Sequence, residues 1–174
     1  MNKNIFLICL LITLTGCSFQ SIQYEFIKGL LIDEGSQEPI KTWSIYWNDN
    51  QTDLYAVNID NQIIFADNDV NIFYKDQQIY KITGLFADSA ILEIESKDPN
   101  LIYKLNGKII NNDNCEEKKM TIDDSGFKIY SRVCLEQVSG NIYENRVIVN
   151  PMGLVTSLRF KVRANYPSLE LSKK

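Results

Sequence analysis

There is no histidine in this 174-residue chain, and that one absence removes a large part of enzyme chemistry. Without imidazole there is no Ser-His-Asp or Cys-His nucleophile system and none of the commonest zinc ligand sets. Basic residues are sparse and scattered: 18 Lys and Arg stand against 22 Asp and Glu, for a net charge of −4. With no basic cluster, neither nucleic acid nor an anionic lipid surface is an expected electrostatic partner. Long hydrophobic runs are missing as well, apart from Ile5 to Ile12, which is shorter than the roughly 20 residues a spanning helix needs. There is no low-complexity linker and no sign of a second domain. Nothing calls for a cofactor or a metal. Cysteine is scarce, with four in all, at Cys9, Cys17, Cys115 and Cys134.

What is present begins at the N-terminus. Lys3, the apolar run and then Leu14-Thr15-Gly16-Cys17 have the layout of a signal peptide, with small residues at the cleavage point. Those last four residues resemble the lipobox of bacterial lipoproteins. The resemblance implies a signal peptide over residues 1–16, diacylglycerol on the Cys17 thiol and acylation of the new amine, a palmitate. Residues 17–174 are then a single lipid-anchored, β-rich periplasmic domain. Several acyl chains, at about 0.8 kcal/mol per buried methylene, hold far more firmly than one. Ser18, where an aspartate favours inner-membrane retention, implies an outer-membrane address on the periplasmic side. In that oxidising compartment Cys115 and Cys134 are expected to pair, the alternative being two free thiols.

Along the chain, Ser18 to about Leu31 reads as one helix, with Phe19, Ile22, Phe26 and Leu30 on a common face. From Thr42 the period changes to two. Polar breaks at 48–50, 60–61, 67–69, 76–77, 98–100 and 106–107 separate short strands, and Asn106-Gly107 is the strongest hairpin signal. Asn111 to Glu117 is polar and reads as a loop. From Phe127 to Leu135, Phe127, Ile129, Val133 and Leu135 share one face, and Lys128, Tyr130, Arg132 and Cys134 share the other. That alternation predicts Cys134 pointing outward, with its disulfide pinning the asparagine-rich loop over an exposed sheet face. A final hairpin turns around Asn150 to Gly153. The expected fold is mainly β: an antiparallel β-sandwich or partly closed barrel with one N-terminal helix.

Two stretches carry a family likeness. One is Asp69 to Leu85, with Asp76-Gln77-Gln78 at a hairpin bend and Ile79-Tyr80-Lys81-Ile82-Thr83-Gly84-Leu85 after it. The other is Val149-Asn150-Pro151-Met152-Gly153-Leu154-Val155-Thr156-Ser157, followed by Tyr166-Pro167-Ser168-Leu169-Glu170-Leu171. Together with the lipobox they resemble the YjbF/GfcB-type outer-membrane lipoproteins linked to group four capsule and exopolysaccharide export. Gln77-Gln78 departs from the glycine usual in that first hairpin. The resemblance implies a non-enzymatic part in polysaccharide export and no catalytic residues to carry over.

Candidate chemistry is thin. Asp123-Asp124 are adjacent and precede Gly126, so turn formation explains them better than a glycosidase pair. Asp67-Asn68-Asp69 lacks the glycine and distal glutamate of a calcium loop. Trp43, Tyr46 and Trp47 admit a sugar-stacking platform, although the spacing favours Trp43 and Trp47 packing on the core face with Tyr46 outside. Arg159, Lys161 and Arg163 alternate on one side of the last long strand, as contacts for an acidic polysaccharide or a partner, or as a solvated edge. The functional expectation is a lipid-anchored accessory or scaffold in capsule or exopolysaccharide export, not an enzyme. Its partners would be an outer-membrane or export protein, with an acidic polysaccharide as the candidate ligand. The alternative is an envelope-assembly lipoprotein that docks to an outer-membrane protein without binding glycan.

Overall fold

The computed structural model describes residues 42–86 and 89–174. Cys17, the signal peptide and the helix expected over Ser18–Leu31 lie outside the described residues. Thirteen strands follow in order: β1 (Trp43–Trp47), β2 (Asn50–Ile59), β3 (Gln62–Ala66), β4 (Asn71–Lys75), β5 (Gln78–Thr83), β6 (Ile91–Lys97) and β7 (Asn100–Leu105). The rest are β8 (Lys108–Cys115), β9 (Lys119–Ile122), β10 (Lys128–Leu135), β11 (Ile142–Val149), β12 (Val155–Phe160) and β13 (Leu169–Lys173). There is no helix among the described residues.

Every ladder is antiparallel, and successive strands pair with their neighbours as a meander, except that β8 skips β9 to pair with β10. Four of the connections are two-residue turns with positive φ at both positions: Asn48-Asp49, Asp60-Asn61, Asp76-Gln77 and Asn106-Gly107. This is the primed-turn geometry whose twist matches the flanking strands, and Asn, Asp and Gly tolerate it best.

The sandwich or partly closed barrel expected from sequence is overturned by one ladder. The last strand pairs with the first, Trp43↔Lys173 through Tyr46↔Glu170, so the sheet closes on itself. Twelve strands form the ring. The thirteenth, β9, takes over from β8 beside β10, where Cys115↔Cys134 gives way to Lys119↔Ser131. A sandwich and a meander barrel share the same strand-and-turn rhythm. They differ in a pairing between residues at opposite ends of the chain, and closure removes the exposed edges a sandwich would leave.

Inside the ring sits one apolar core. Leu54, Phe65, Ile72, Ile79, Ile82, Leu92, Leu158, Leu169 and Leu171 are fully shielded, and Trp43 packs edge-on to Phe65 with centroids 4.7 Å apart. Burial of each such side chain contributes about 1.5–3 kcal/mol. Across β5–β7 the outer face carries Lys81, Glu93, Glu95 and Lys104, with Glu95 bridging Lys104. Apolar-in and charged-out is the reverse of the pattern on a lipid-embedded barrel wall.

One sector breaks that rule and corrects two expectations. The asparagine-rich stretch is not a loop: it is strand β8 through Cys115, and it places Asn111, Asp113 and Cys115 inward. On β10 the two faces are reversed from the reading of their hydrophobicity. Arg132 and Cys134 point in and are buried, whereas Ile129 and Val133 are half-buried and Leu135 is exposed. The expected disulfide is formed, Cys115 to Cys134 with Cα atoms 4.0 Å apart, but inside the seam and not over an exposed face. Hydrogen bonding decides the inversion: Arg132 and Asp113 are buried here because partners on other strands and loops take up their hydrogen bonds.

Candidate functional site

Because the strands alternate in direction, their connections gather at two poles. At the terminal pole Thr42 and Lys174 meet, with Lys174 N donating to Thr42 O at 3.0 Å. The far pole carries the 48–49 turn and the segments 84–86, 136–141 and 161–168.

The far pole holds an aromatic and cationic cluster. Trp47, at the end of β1, stacks on Tyr166 at 5.5 Å with planes 16° apart, and Phe86 meets the indole edge-on at 5.3 Å. Arg163 lies over the Tyr166 ring at 4.8 Å and the Phe86 ring at 5.6 Å, with its guanidinium side exposed to solvent. Phe86 arrives there through Gly84, whose φ is +80° and whose added Cβ would stand 1.6 Å from the Asp69 carbonyl oxygen. No residue with a side chain fits that crossing. The Trp47 indole N–H is buried with no acceptor among the described residues.

Lys161 joins this cluster to the interior. Its ammonium donates to the Tyr166 carbonyl at 2.5 Å and stands 3.8 Å from Glu136, which is fully buried and also accepts from Ser139. Deeper in, Asp113 accepts the Tyr143 hydroxyl at 2.6 Å and the Gln137 N–H at 3.2 Å, and Tyr143 and Tyr103 share a 2.8 Å hydroxyl contact. Burial raises the Asp113 carboxyl above its ordinary value despite these donors, with Glu136 adding to the effect. Burial also raises both phenols, so they stay protonated as donors. Neither Asp113 nor Glu136 lines the small cavity beside Tyr103 or the cleft over the disulfide. The interior cavity, bounded by Tyr103, Asn145, Val147 and Phe160, is about 20 Å³, room for about one water.

At the terminal pole the break between β8 and β9 leaves a cleft of about 610 Å³ over the disulfide. Arg132 fills its floor with a side chain 5% exposed, donating to Glu116 O at 3.0 Å, Ser96 Oγ at 3.0 Å, Pro99 O at 3.2 Å and Asp98 Oδ1 at 2.6 Å.

The six contact residues expected from sequence are therefore divided. Trp47, Lys161 and Arg163 converge at the far pole. Trp43 is in the core, Tyr46 is outside with its hydroxyl on Asp49, and Arg159 pairs on the surface with Glu170 at 3.3 Å. The strand row Arg159-Lys161-Arg163 does not form, because β12 ends at Phe160 and Lys161 turns inward. Asp123 is a turn former: its Oδ1 accepts the Ser125 and Phe127 N–H groups, each at 2.9 Å. Phe86, Tyr166, Arg132, Glu136 and Lys118 were not singled out from the sequence. Arg132 alternating with Cys134 was the one usable signal, since a disulfide partner points where the core is.

By architecture this is a closed antiparallel meander barrel with a polar sector in its wall. No protein-family model matches the chain, and no curated protein matches it in sequence. Among solved structures it is similar to the crystal structure of the hypothetical lipoprotein YmcC from Escherichia coli K12. The TM-score is 0.54 at 12% identity, covering 89% of this chain and 97% of that one. At that identity the likeness establishes a shared fold.

Proposed function

We propose that the chain is a lipoprotein tethered through Cys17 to the outer membrane on its periplasmic side. Its barrel serves, without catalytic turnover, as an accessory or scaffold in capsule or exopolysaccharide export. The observation that carries this reading is a lipobox, Leu14-Thr15-Gly16-Cys17, ahead of a barrel whose fold is shared with a protein titled a lipoprotein. The inward-apolar, outward-charged wall suits a domain held beside a membrane better than one crossing it. At the far pole the exposed Arg163, over the Tyr166 and Phe86 rings, offers a charge to an acidic chain. Neither buried carboxylate lines the terminal-pole cleft or the small cavity, which suits binding more than hydrolysis.

Metabolic labelling with a clickable fatty acid tests the tether, and secretion of surface polysaccharide by a deletion strain tests the role. Wild type should take up label and Cys17→Ser should not. An unlabelled wild type, or unchanged polysaccharide export in the deletion strain, defeats the corresponding half of the proposal. A second reading, docking to an outer-membrane protein without glycan, is favoured by the exposed apolar group Leu135, Val138 and Ile142 around the β10–β11 hairpin. Co-purification of a membrane barrel that is lost on Ile142→Lys, with no quenching by acidic polysaccharide, would select it.

A further inference from the structure

We propose that the terminal-pole cleft is a seat for a single carboxylate, that of a hexuronate unit in an acidic polysaccharide, held between the Arg132 guanidinium and the Lys118 ammonium. The choice of a glycan as ligand rests on the export reading above; the seat itself rests on the geometry of the cleft.

Arg132 is a cation already stripped of water and already aimed. Three fixed acceptors, Glu116 O, Ser96 Oγ and Pro99 O, orient its fork, so little freedom is lost when a ligand takes the remaining face. Its carboxylate partner, Asp98, is held at 2.6 Å although that side chain is 86% exposed. A buried guanidinium gripping a carboxylate that reaches in from solvent marks the position an external carboxylate would take. Asp98 is the intramolecular occupant of that position and the competitor for it.

Lys118 is the second half of the seat. It lines the same cleft and donates to the Asp76 carbonyl at 3.2 Å, with no carboxylate in ion-pair range among the described residues. Partial burial, followed by the neighbouring Arg132 charge, holds its ammonium below the usual lysine value, with Asp98 and Asp76 opposing. An anion between the two cations removes that repulsion.

The acidic residues of the cleft select among anions. Glu116 is tied to Lys119 at 2.8 Å, and Glu117 stands at the rim. Their charge repels multiply charged phosphate or sulfate, whereas their oxygens accept hydroxyls. A monoanion carrying several hydroxyl groups satisfies both, and a cleft of about 610 Å³ lies within the roughly 300–1,000 Å³ range of small-ligand sites.

The test is calorimetric titration of the detergent-solubilised full chain with hexagalacturonate, using maltohexaose as the neutral probe of equal length. The acidic probe should bind at least about tenfold more tightly than the neutral one, and Lys118→Gln should weaken it by about tenfold. Asp98→Asn keeps the side chain's shape and leaves Glu116 O, Ser96 Oγ and Pro99 O on Arg132; with its fold checked by circular dichroism, it should tighten binding, because the competitor for Arg132 loses its charge. Equal affinity for the two probes, no binding of the acidic one, or an Asp98→Asn variant that binds no better overturns the proposal. None of those results bears on fatty-acid labelling at Cys17 or on polysaccharide secretion by the deletion strain, so the two readings fail separately.

Discussion

The Cys115–Cys134 bridge closes the barrel wall where hydrogen bonding between strands is thinnest. The β8–β10 ladder has two register pairs, Cys115↔Cys134 and Asn114↔Leu135, before β9 takes over with four more. Replacing both cysteines by alanine should therefore cost close to the full cross-link term. For a sequence separation of 19, the loop-entropy relation gives roughly 3 kcal/mol. The seam would not fall open, because Glu116 N still donates to Val133 O at 2.9 Å and Arg132 still spans to Glu116 O and Pro99 O. Urea unfolding of the detergent-solubilised protein, followed by tryptophan fluorescence, reads the loss as a fall in midpoint of about 1–2 M. Wild type in reductant should match the double variant. Amide exchange at residues 114–116 and 133–135 should accelerate before the rest of the barrel. A loss under about 1 kcal/mol, or exchange unchanged at those six amides, would refute the view that the bridge holds the seam.

Other consequences of the structure are as direct. Trp43→Ala empties a core site beside Phe65 and should cost about 3–5 kcal/mol, whereas half-buried Trp47→Ala should cost clearly less; urea midpoints in the opposite order would contradict the placement. Asp113 has a folded-state pKa above its unfolded value of about 4, so its contribution is complete below that pH and is lost as pH rises through the raised folded value. The stability difference between wild type and Asp113→Asn should therefore decline from pH 4 to 7, and a difference that grows over that interval counts against the buried-charge account. Gly84→Ala, with its Cβ 1.6 Å from a backbone oxygen, should cost about 2 kcal/mol or more. Gly107→Ala shares the positive φ but has open space around it, and about 1 kcal/mol is expected. Equal thermal shifts for the two glycine variants would remove the steric argument at Gly84.

Much of the candidate site was hidden for the same reason that the closure was. Trp47 and Arg163 stood out as residue types, but nothing local says that Phe86 and Tyr166 come to meet them from different loops. Periodicity on β10 marked two faces correctly and assigned them to the wrong sides. Hydrophobicity is a guide to burial only where the interior is apolar, and here Arg132 and Asp113 are buried because partners across the barrel complete their hydrogen bonds.

What the chain determines by itself is local: primed-turn pairs such as Asp60-Asn61 and Asn106-Gly107, the period-two strands between them, and the lipobox-like Leu14-Thr15-Gly16-Cys17 that precedes them all. Each depends on the torsional preferences or chemistry of a few consecutive residues. Tertiary structure decided that β13 returns to β1, that one sector of the wall turns polar inward, and that Arg132 lies under a cleft. Those outcomes depend on pairings between residues far apart in sequence, whose free energy appears only once the ring is closed and water has left its interior.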